Sequence, residues 1–284
     1  MRALQPHLSI IITEQRSMDK HTTCVLEQCR AAARTLAKSH GLYDACVSVT
    51  ATALTPAEAI GAPRRKDFPI LAGREAMMEA ALAGTRGQAF TDMPRQFAGT
   101  LHDALALPLN DNGARAVFVA TLNALYAHLG LVSGTRHCKD DAPEECAMEM
   151  ARRAAAEGAR TIGLIGFNPA IAEALATVFG AHHIRCSDLN PATIGSTQFG
   201  ITILDGRTHN DEVMRGADIV LATGTTFVNN TEEALIQMAR IAGTRLIFYG
   251  VTCAAVCHIL QFERWCFAPD DRYEPRPAHG EHHV

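Results

Sequence analysis

The stretch Thr161-Ile162-Gly163-Leu164-Ile165-Gly166-Phe167-Asn168-Pro169-Ala170-Ile171 decides the fold. Its first five residues form a short apolar run that reads as a buried strand. Gly166 and Asn168-Pro169 break that run. Ile171, Leu175 and Val178 then recur on one face of a helix that stops at Gly180. This strand–turn–helix unit repeats downstream. Residues 183–186 read as a second strand ending at Asp188, 200–204 as a further short strand and 211–215 as a short helix. Residues 217–222 make a strong strand that runs into Thr223-Gly224-Thr225-Thr226. A helix over 231–242 and a last strand over 244–249 follow, then Gly250-Val251-Thr252 and a final helix. Strands separated by helices of this length imply βαβ units and a mostly parallel sheet. The reading is a Rossmann-like α/β domain from about Arg160 to about Gln261.

Upstream the pattern is mixed. A helix is expected over 19–39, with Val25, Cys29, Ala32 and Leu36 as its apolar stripe. A β-like run at 45–53 alternates in polarity. Residues 74–82 read as a helix closed by Gly84, and 87–94 as a short strand and turn. Thr100 can cap a helix to about Leu107. Asn112-Gly113 opens a helix over 114–129 that is apolar on nearly every side and should be deeply buried, so its Asn123 and Tyr126 need hydrogen-bond partners. Asp141, Pro143 and Glu144 start a connecting helix to about Glu157. The expected architecture is a smaller N-terminal α+β domain over 1–150, followed by the mostly parallel α/β sheet domain over 151–284.

Composition bounds the function. With 284 residues, 48% hydrophobic and 20% charged, the chain can bury a substantial core. A net charge of −4 gives no basic footprint for nucleic acid. Arg64-Arg65-Lys66 is better read as a solvated loop than as a phosphate patch. No apolar stretch is long enough to span a membrane, and the N-terminus lacks the pattern of a signal peptide, so the expected location is cytoplasmic. Nine cysteines in that setting favour thiols over disulfides, most of them core residues.

Four polar turns follow the expected strands, where ligands bind in open α/β sheets because helix N-termini and unpaired backbone N–H groups converge there. They supply Gly166, Asn168, Asp188, Thr223, Gly224, Thr225, Asn229 and Thr252 as candidate ligand-binding residues, with Asp92 from the first part of the chain. Asp188 lies near where a ribose-binding acid would sit, although Gly163 and Gly166 do not complete G-x-G-x-x-G. The competing reading is that Gly166 permits a tight turn and Asp188 caps one. No lysine makes the Thr223 turn a nucleotide-hydrolysing P-loop, and neither G-x-S-x-G nor H-E-x-x-H occurs.

His137, Cys138 and Cys146 form a thiol and imidazole cluster near the expected domain junction, and Cys266 is a further candidate for the same metal site. Such donors suit zinc, copper or iron. Two unrelated thiols near a junction explain the spacing of Cys138 and Cys146 equally well. Cys253 and Cys257 share a helix face but read better as small core thiols.

At Gly87-Gln88-Ala89-Phe90-Thr91-Asp92-Met93-Pro94, Thr121-Leu122-Asn123-Ala124 and residues 137–147, the chain resembles the heavy-metal chelation family. Ile165-Gly166-Phe167-Asn168-Pro169, Ser187-Asp188-Leu189-Asn190-Pro191, Ala222-Thr223-Gly224-Thr225-Thr226 and Tyr249-Gly250-Val251-Thr252 extend the resemblance to about Pro269. It implies an N-terminal domain folded like the cap domain of enolase, a Rossmann-like C-terminal domain and a ligand cleft between them. The leading expectation is thus a binding protein for a soft transition metal or a small metal chelate. The alternative is an enzyme using a nucleotide cofactor, NAD or S-adenosylmethionine. The expected partners are small molecules or metal ions, with neither nucleic acid nor membrane, and a homo-oligomer is left open.

Overall fold

The structure is a computed structural model that describes residues 24–50, 55–72 and 75–267. It is a mixed α/β protein with two sheets. The smaller is antiparallel, with β1 (Cys46–Val49), β2 (Ala76–Leu82), β3 (Thr85–Thr91) and β4 (Phe97–Thr100) in the order β3-β2-β1-β4. The larger contains β5 (Ile162–Ile165), β6 (Ile184–Asp188), β7 (Thr197–Gln198), β8 (Ile201–Asp205), β9 (Ile219–Thr223), β10 (Arg245–Tyr249) and β11 (Arg264–Trp265). Its order is β11-β10-β9-β5-β6-β8-β7, and only the edge pair β7–β8 is antiparallel.

Ten α-helices lie among the described residues, besides two short 3-10 helices: α1 (Val25–Ser39), α2 (Pro56–Ile60), α3 (Leu101–Ala106), α4 (Asn112–His128), α5 (Ala142–Ala156), α6 (Pro169–Phe179), α7 (Gly206–Met214), α8 (Thr226–Asn229), α9 (Glu232–Ala242) and α10 (Ala254–Leu260). Helices cover both faces of the large sheet. Alternate residues of β9 feed opposite cores: Ile219 and Leu221 join α5 and α6, whereas Val220 and Ala222 join α7, α9 and α10. α4 is buried along almost its whole length. One side lies on β2 and β3, and the other meets α8 and α10, so it welds the small sheet to the helical layer of the large one. A Cβ at Gly87 of β3 would fall on the backbone of Ala120, Asn123 and Ala124, so glycine allows the close crossing of α4.

The chain passes from β5 through α6 to β6 and on to β8, then α7 returns it to β9 on the opposite side of β5. The winding direction reverses there, and a crevice opens above the ends of β5 and β9.

Several expectations need correction. Residues 76–82 are strand, not helix. Ala76-Met77-Met78-Glu79-Ala80-Ala81-Leu82 is rich in helix formers, but pairing with both β1 and β3, with burial on both faces, overrides that preference. The stripe of α1 is rotated: Cys29, Ala33 and Ala37 are buried, and Ala32 and Leu36 only half-buried. Arg30 joins the buried face because its guanidinium donates to the carbonyls of Leu105 and Leu107. Asp141 precedes α5 but does not cap it with its side chain; that carboxylate binds Arg64 instead. α7 begins at Gly206, earlier than expected, and is capped by Asp205. Residues 19–23 and 51–54, and the tail histidines His279, His282 and His283, lie outside the described residues.

Candidate functional site

The crevice holds a cavity of about 520 Å³. Each strand end contributes a turn built by its own sequence. After β5, Gly166 adopts φ +86, a conformation open to glycine, and a Cβ there would strike the Thr223 side chain. Asn168 then caps α6, its Oδ1 accepting from the N–H groups of Ala170 (3.0 Å) and Ile171 (3.2 Å), with Pro169 in the first turn. After β6, Asp188 Oδ1 accepts from the N–H groups of Leu189 (2.6 Å) and Asn190 (3.2 Å), and Oδ2 from the Thr193 hydroxyl (3.3 Å). After β9, the Thr225 hydroxyl donates to Thr223 Oγ1 at 3.1 Å, and that of Thr226 to the Thr223 carbonyl at 2.9 Å. Gly224 lets this turn lie against Cys253, whose Cβ and Sγ a side chain would meet.

The smaller sheet closes the cavity. The N–H of Phe90 donates to Thr252 Oγ1 at 3.1 Å, tying β3 to the turn after β10. Behind it stands Asn123, 0% exposed. Its Nδ2 donates to the carbonyls of Gln88 (2.8 Å), Val251 (3.1 Å) and Thr252 (3.2 Å), and its Oδ1 accepts from the N–H of Ala255 (2.8 Å). The partners required of a buried asparagine are therefore found across both sheets. Asn112 bridges Asp92 (2.7 Å) and Asn229 (3.5 Å) at another wall.

All nine candidate ligand residues, Gly166, Asn168, Asp188, Thr223, Gly224, Thr225, Asn229, Thr252 and Asp92, line this one cavity. Sequence reasoning missed Glu75 and Tyr249, which line it as well. Glu75 lies inside the run 74–82 that reads as helix, and Tyr249, although it opens Tyr249-Gly250-Val251-Thr252, occupies a strand position indistinguishable from core. Burial, reinforced by the negative charges of Asp188 and Asp92, pushes Glu75 up to about 7. Burial also raises Asp188, against the pull of its backbone hydrogen bonds. The Tyr249 hydroxyl is held well above its ordinary value by burial and donates to the Gly166 carbonyl at 2.8 Å. The cavity thus presents carboxylic acid, carboxylate, hydroxyl and amide groups.

The four candidate metal residues part company. His137 lines the cavity, edge-on to Phe90, with Nδ1–H donating to the Cys138 carbonyl at 2.5 Å; burial lowers its pKa and keeps the ring neutral. Cys138, Cys146 and Cys266 do not line it. The N–H of Phe267, next to Cys266, donates to Cys146 Sγ at 3.4 Å at the seam between α5 and β11. Among the described residues no group of three or more His, Cys, Asp or Glu is arranged to hold a metal ion, so the imidazole and the thiols do not make one preassembled centre. Cys253 and Cys257 are buried, as core thiols should be. No disulfide joins the described cysteines, and no helix among the described residues is long and apolar enough to cross a membrane.

A seven-stranded, mostly parallel sheet with its polar turns gathered at the reversal, and a small antiparallel sheet against them, define the class: a mixed α/β protein with a ligand-sized cavity at its strand ends. Residues 150–261 match the sequence model of the DUF364 family, described as putative heavy-metal chelation, which bears out the resemblance over the large sheet. A DUF364-family protein of unknown function from Pyrococcus horikoshii has a similar crystal structure. The TM-score is 0.52 at 13% identity, covering 80% of this chain and 79% of that one, which is a likeness of fold. Another of unknown function from the same family, from Desulfitobacterium hafniense DCB-2, aligns with TM-score 0.47 at 15% identity, over 65% of this chain and 72% of that one. No curated protein matches the chain.

Proposed function

We propose that the chain is a two-domain binding protein, divided near residue 150, that holds a small metal chelate in the cavity between its sheets. The cavity itself carries this reading. Its volume of about 520 Å³ falls within the roughly 300–1,000 Å³ of small-molecule sites and far exceeds the needs of one ion. A bare soft cation prefers thiolate and imidazole, whereas this lining offers one neutral imidazole among oxygens and amides. Those groups suit the organic part of a chelate, and the family's description as putative heavy-metal chelation supports the metal within it. Zinc, copper and iron are the metals to try first. A reducing, cytoplasmic setting suits the nine thiols. The likeness of the first domain to the enolase cap and of the second to a Rossmann domain belongs to the same proposal; the order β8-β6-β5-β9-β10-β11 supports the second half of it.

One observation favours a different reading, that of an enzyme using NAD or S-adenosylmethionine. Asp188 ends the strand next to β5, where dinucleotide sheets place the acid that binds ribose. Against it, both oxygens of Asp188 are already engaged by its own loop.

Thermal stabilisation separates the two. A metal–citrate or metal–catecholate complex should raise Tm more than its metal or its chelator alone, and Gly166→Val should abolish the shift while the fold persists. Stabilisation by NAD or S-adenosylmethionine, and by no chelate, would transfer the case to the enzyme reading. An unchanged shift in Gly166→Val would place the ligand elsewhere.

A further inference from the structure

The open end of the β2–β3 hairpin brings two carboxyl groups to one wall of the cavity. β2 and β3 pair Ala76 with Thr91, so one step further along the same register Glu75 stands opposite Asp92. Both residues line the cavity. Like charges in directly opposed positions destabilise a strand pair, so the arrangement calls for a positive group. Asp92 is exposed and is held by the Asn112 amide, which donates to its Oδ1 at 2.7 Å. Glu75 is half-buried, and among the described residues none donates a hydrogen bond to its carboxyl. His137 stands against the same strand, its ring edge-on to Phe90 with centroids 5.4 Å apart. Its Nδ1–H is engaged by the Cys138 carbonyl, which leaves Nε2 as a further acceptor. Positive charge is scarce in the lining. Its third acid, Asp188, is engaged by its own loop, and its one guanidinium, Arg207, is exposed and lies 3.5 Å from Asp205.

We propose that Glu75 and Asp92 form a subsite for a protonated amine, and that the cavity's ligand is an organic molecule carrying one. The inference rests on the cavity reading above and names the group that the small sheet recognises. An ammonium has three N–H donors and no acceptor, which complements two carboxyls and an imidazole lone pair. Phe68, Phe90 and Phe167 line the cavity as well. Aromatic faces attract an organic cation, and the rings cover the carbon stem that carries it. A bare metal ion has no stem to bury. Nor is any group of three or more His, Cys, Asp or Glu arranged to hold such an ion among the described residues.

Three catechols that differ at the end of one side chain provide the test. They are 4-(2-aminoethyl)catechol, 4-ethylcatechol and 3-(3,4-dihydroxyphenyl)propionate, which end in an ammonium, a methyl group and a carboxylate. Each is titrated calorimetrically into the full chain without oxygen, both metal-free and as its zinc complex. The titrations are run at pH 8, above the value of about 7 to which burial, Asp188 and Asp92 push Glu75. Primary amines, with pKa of about 10, stay protonated there. The aminoethyl compound should bind at least about tenfold more tightly than ethylcatechol, and the propionate more weakly than either. Glu75→Gln and Asp92→Asn should each erase that preference. Glu75→Gln should also raise the Tm of the ligand-free protein, because it removes one of two opposed charges. Glu149→Gln, at an exposed acid of α5 outside the cavity, should change neither reading. The proposal fails if the aminoethyl compound binds no better than ethylcatechol, or if Glu75→Gln keeps the preference. It fails equally if Glu75→Gln lowers Tm, as loss of a merely structural residue would. Stabilisation by zinc alone that vanishes in Glu75→Gln would make the pair metal ligands and overturn it too. An amine preference with no gain from zinc would sink the chelate reading alone, and zinc complexes that bind without the preference would sink the amine subsite alone.

Discussion

A carboxylate with no partner in a protein interior must stay protonated or destabilise the fold. Glu232 is such a group. It is 0% exposed at the start of α9, and among the described residues no other residue donates a hydrogen bond to either of its oxygens. Burial raises it to about 7, against the pull of its own backbone N–H, with Glu233 adding to the shift and Arg115 opposing it. The sign follows from linkage. Between its ordinary value and about 7 the native state holds a proton that the unfolded chain has released, so stability falls as pH rises through that window. Glu232→Gln should therefore leave stability near pH 4 little changed and raise it at pH 8 by about 2 kcal/mol, read as urea midpoints at the two pH values. An equal effect at both pH values would show that the charge is not the cause. Asn123 is the opposite case, a buried polar side chain with four hydrogen bonds. Asn123→Ala strands the N–H of Ala255 and the carbonyl of Gln88, and should cost about 2–3 kcal/mol in urea unfolding; a loss below about half a kcal/mol would mean that water takes over its bonds. The two residues were unequally legible. Asn123 stands out in the sequence because a polar group on an all-apolar helix demands partners. Glu232 reads as an ordinary first-turn acid, because Cys29 and Arg115, which lie near enough to act on it electrostatically, come from far along the chain.

At the scale of elements, legibility followed how local the cause is. The strand–helix units from β5 to β10 and the box at Thr100 are written in adjacent residues: the Thr100 hydroxyl accepts from the Asp103 N–H at 3.1 Å, and Asp103 returns the bond at 2.9 Å. β2 is not local. Its composition favours a helix, and its strand exists only because β1 and β3 flank it. β11 is two residues long and held by a parallel neighbour, which leaves no periodicity to read. The turns of the cavity were found because Gly166, Asp188 and Thr223 follow strands; Glu75 was missed because the strand it precedes was. The same crossing that fixes β3 against α4 yields a test. Gly87→Ala places a methyl group on backbone atoms of α4 that cannot rotate away, so it should destabilise by about 3 kcal/mol or more. Circular dichroism melts would register this as a large fall in Tm, and a fall of only a degree or two would show that α4 can lift from the sheet.

At the scale of the whole molecule, a division near residue 150 and a shared core pull in opposite directions. The strands of β1 to β4 and those of β5 to β11 never pair with one another, which is the pattern of two domains. Yet one continuous apolar cluster runs from Leu26, Val47 and Met78 through the length of α4 to Phe227, Leu235, Phe248 and Val256 of the large sheet and its helices. Polar ties repeat the connection: the Arg115 guanidinium donates to the Val228 carbonyl at 2.6 Å and to that of Leu109 at 2.8 Å. Separating the sheets would expose α4 on the face that meets α8 and α10, and each half would then carry an apolar surface larger than soluble monomers tolerate. The expected behaviour is one cooperative transition. Calorimetry should give a single endotherm whose calorimetric and van't Hoff enthalpies agree, and tryptophan fluorescence at Trp265 should follow the same curve as far-ultraviolet circular dichroism. Two resolved transitions, or a fluorescence midpoint displaced from the dichroism, would mean that the halves are held together only at the cavity rim, and the cavity would then open as they part. A single transition means that the cavity walls form with the core, so that its shape is set before any ligand arrives and ligand binding raises Tm without splitting the melt.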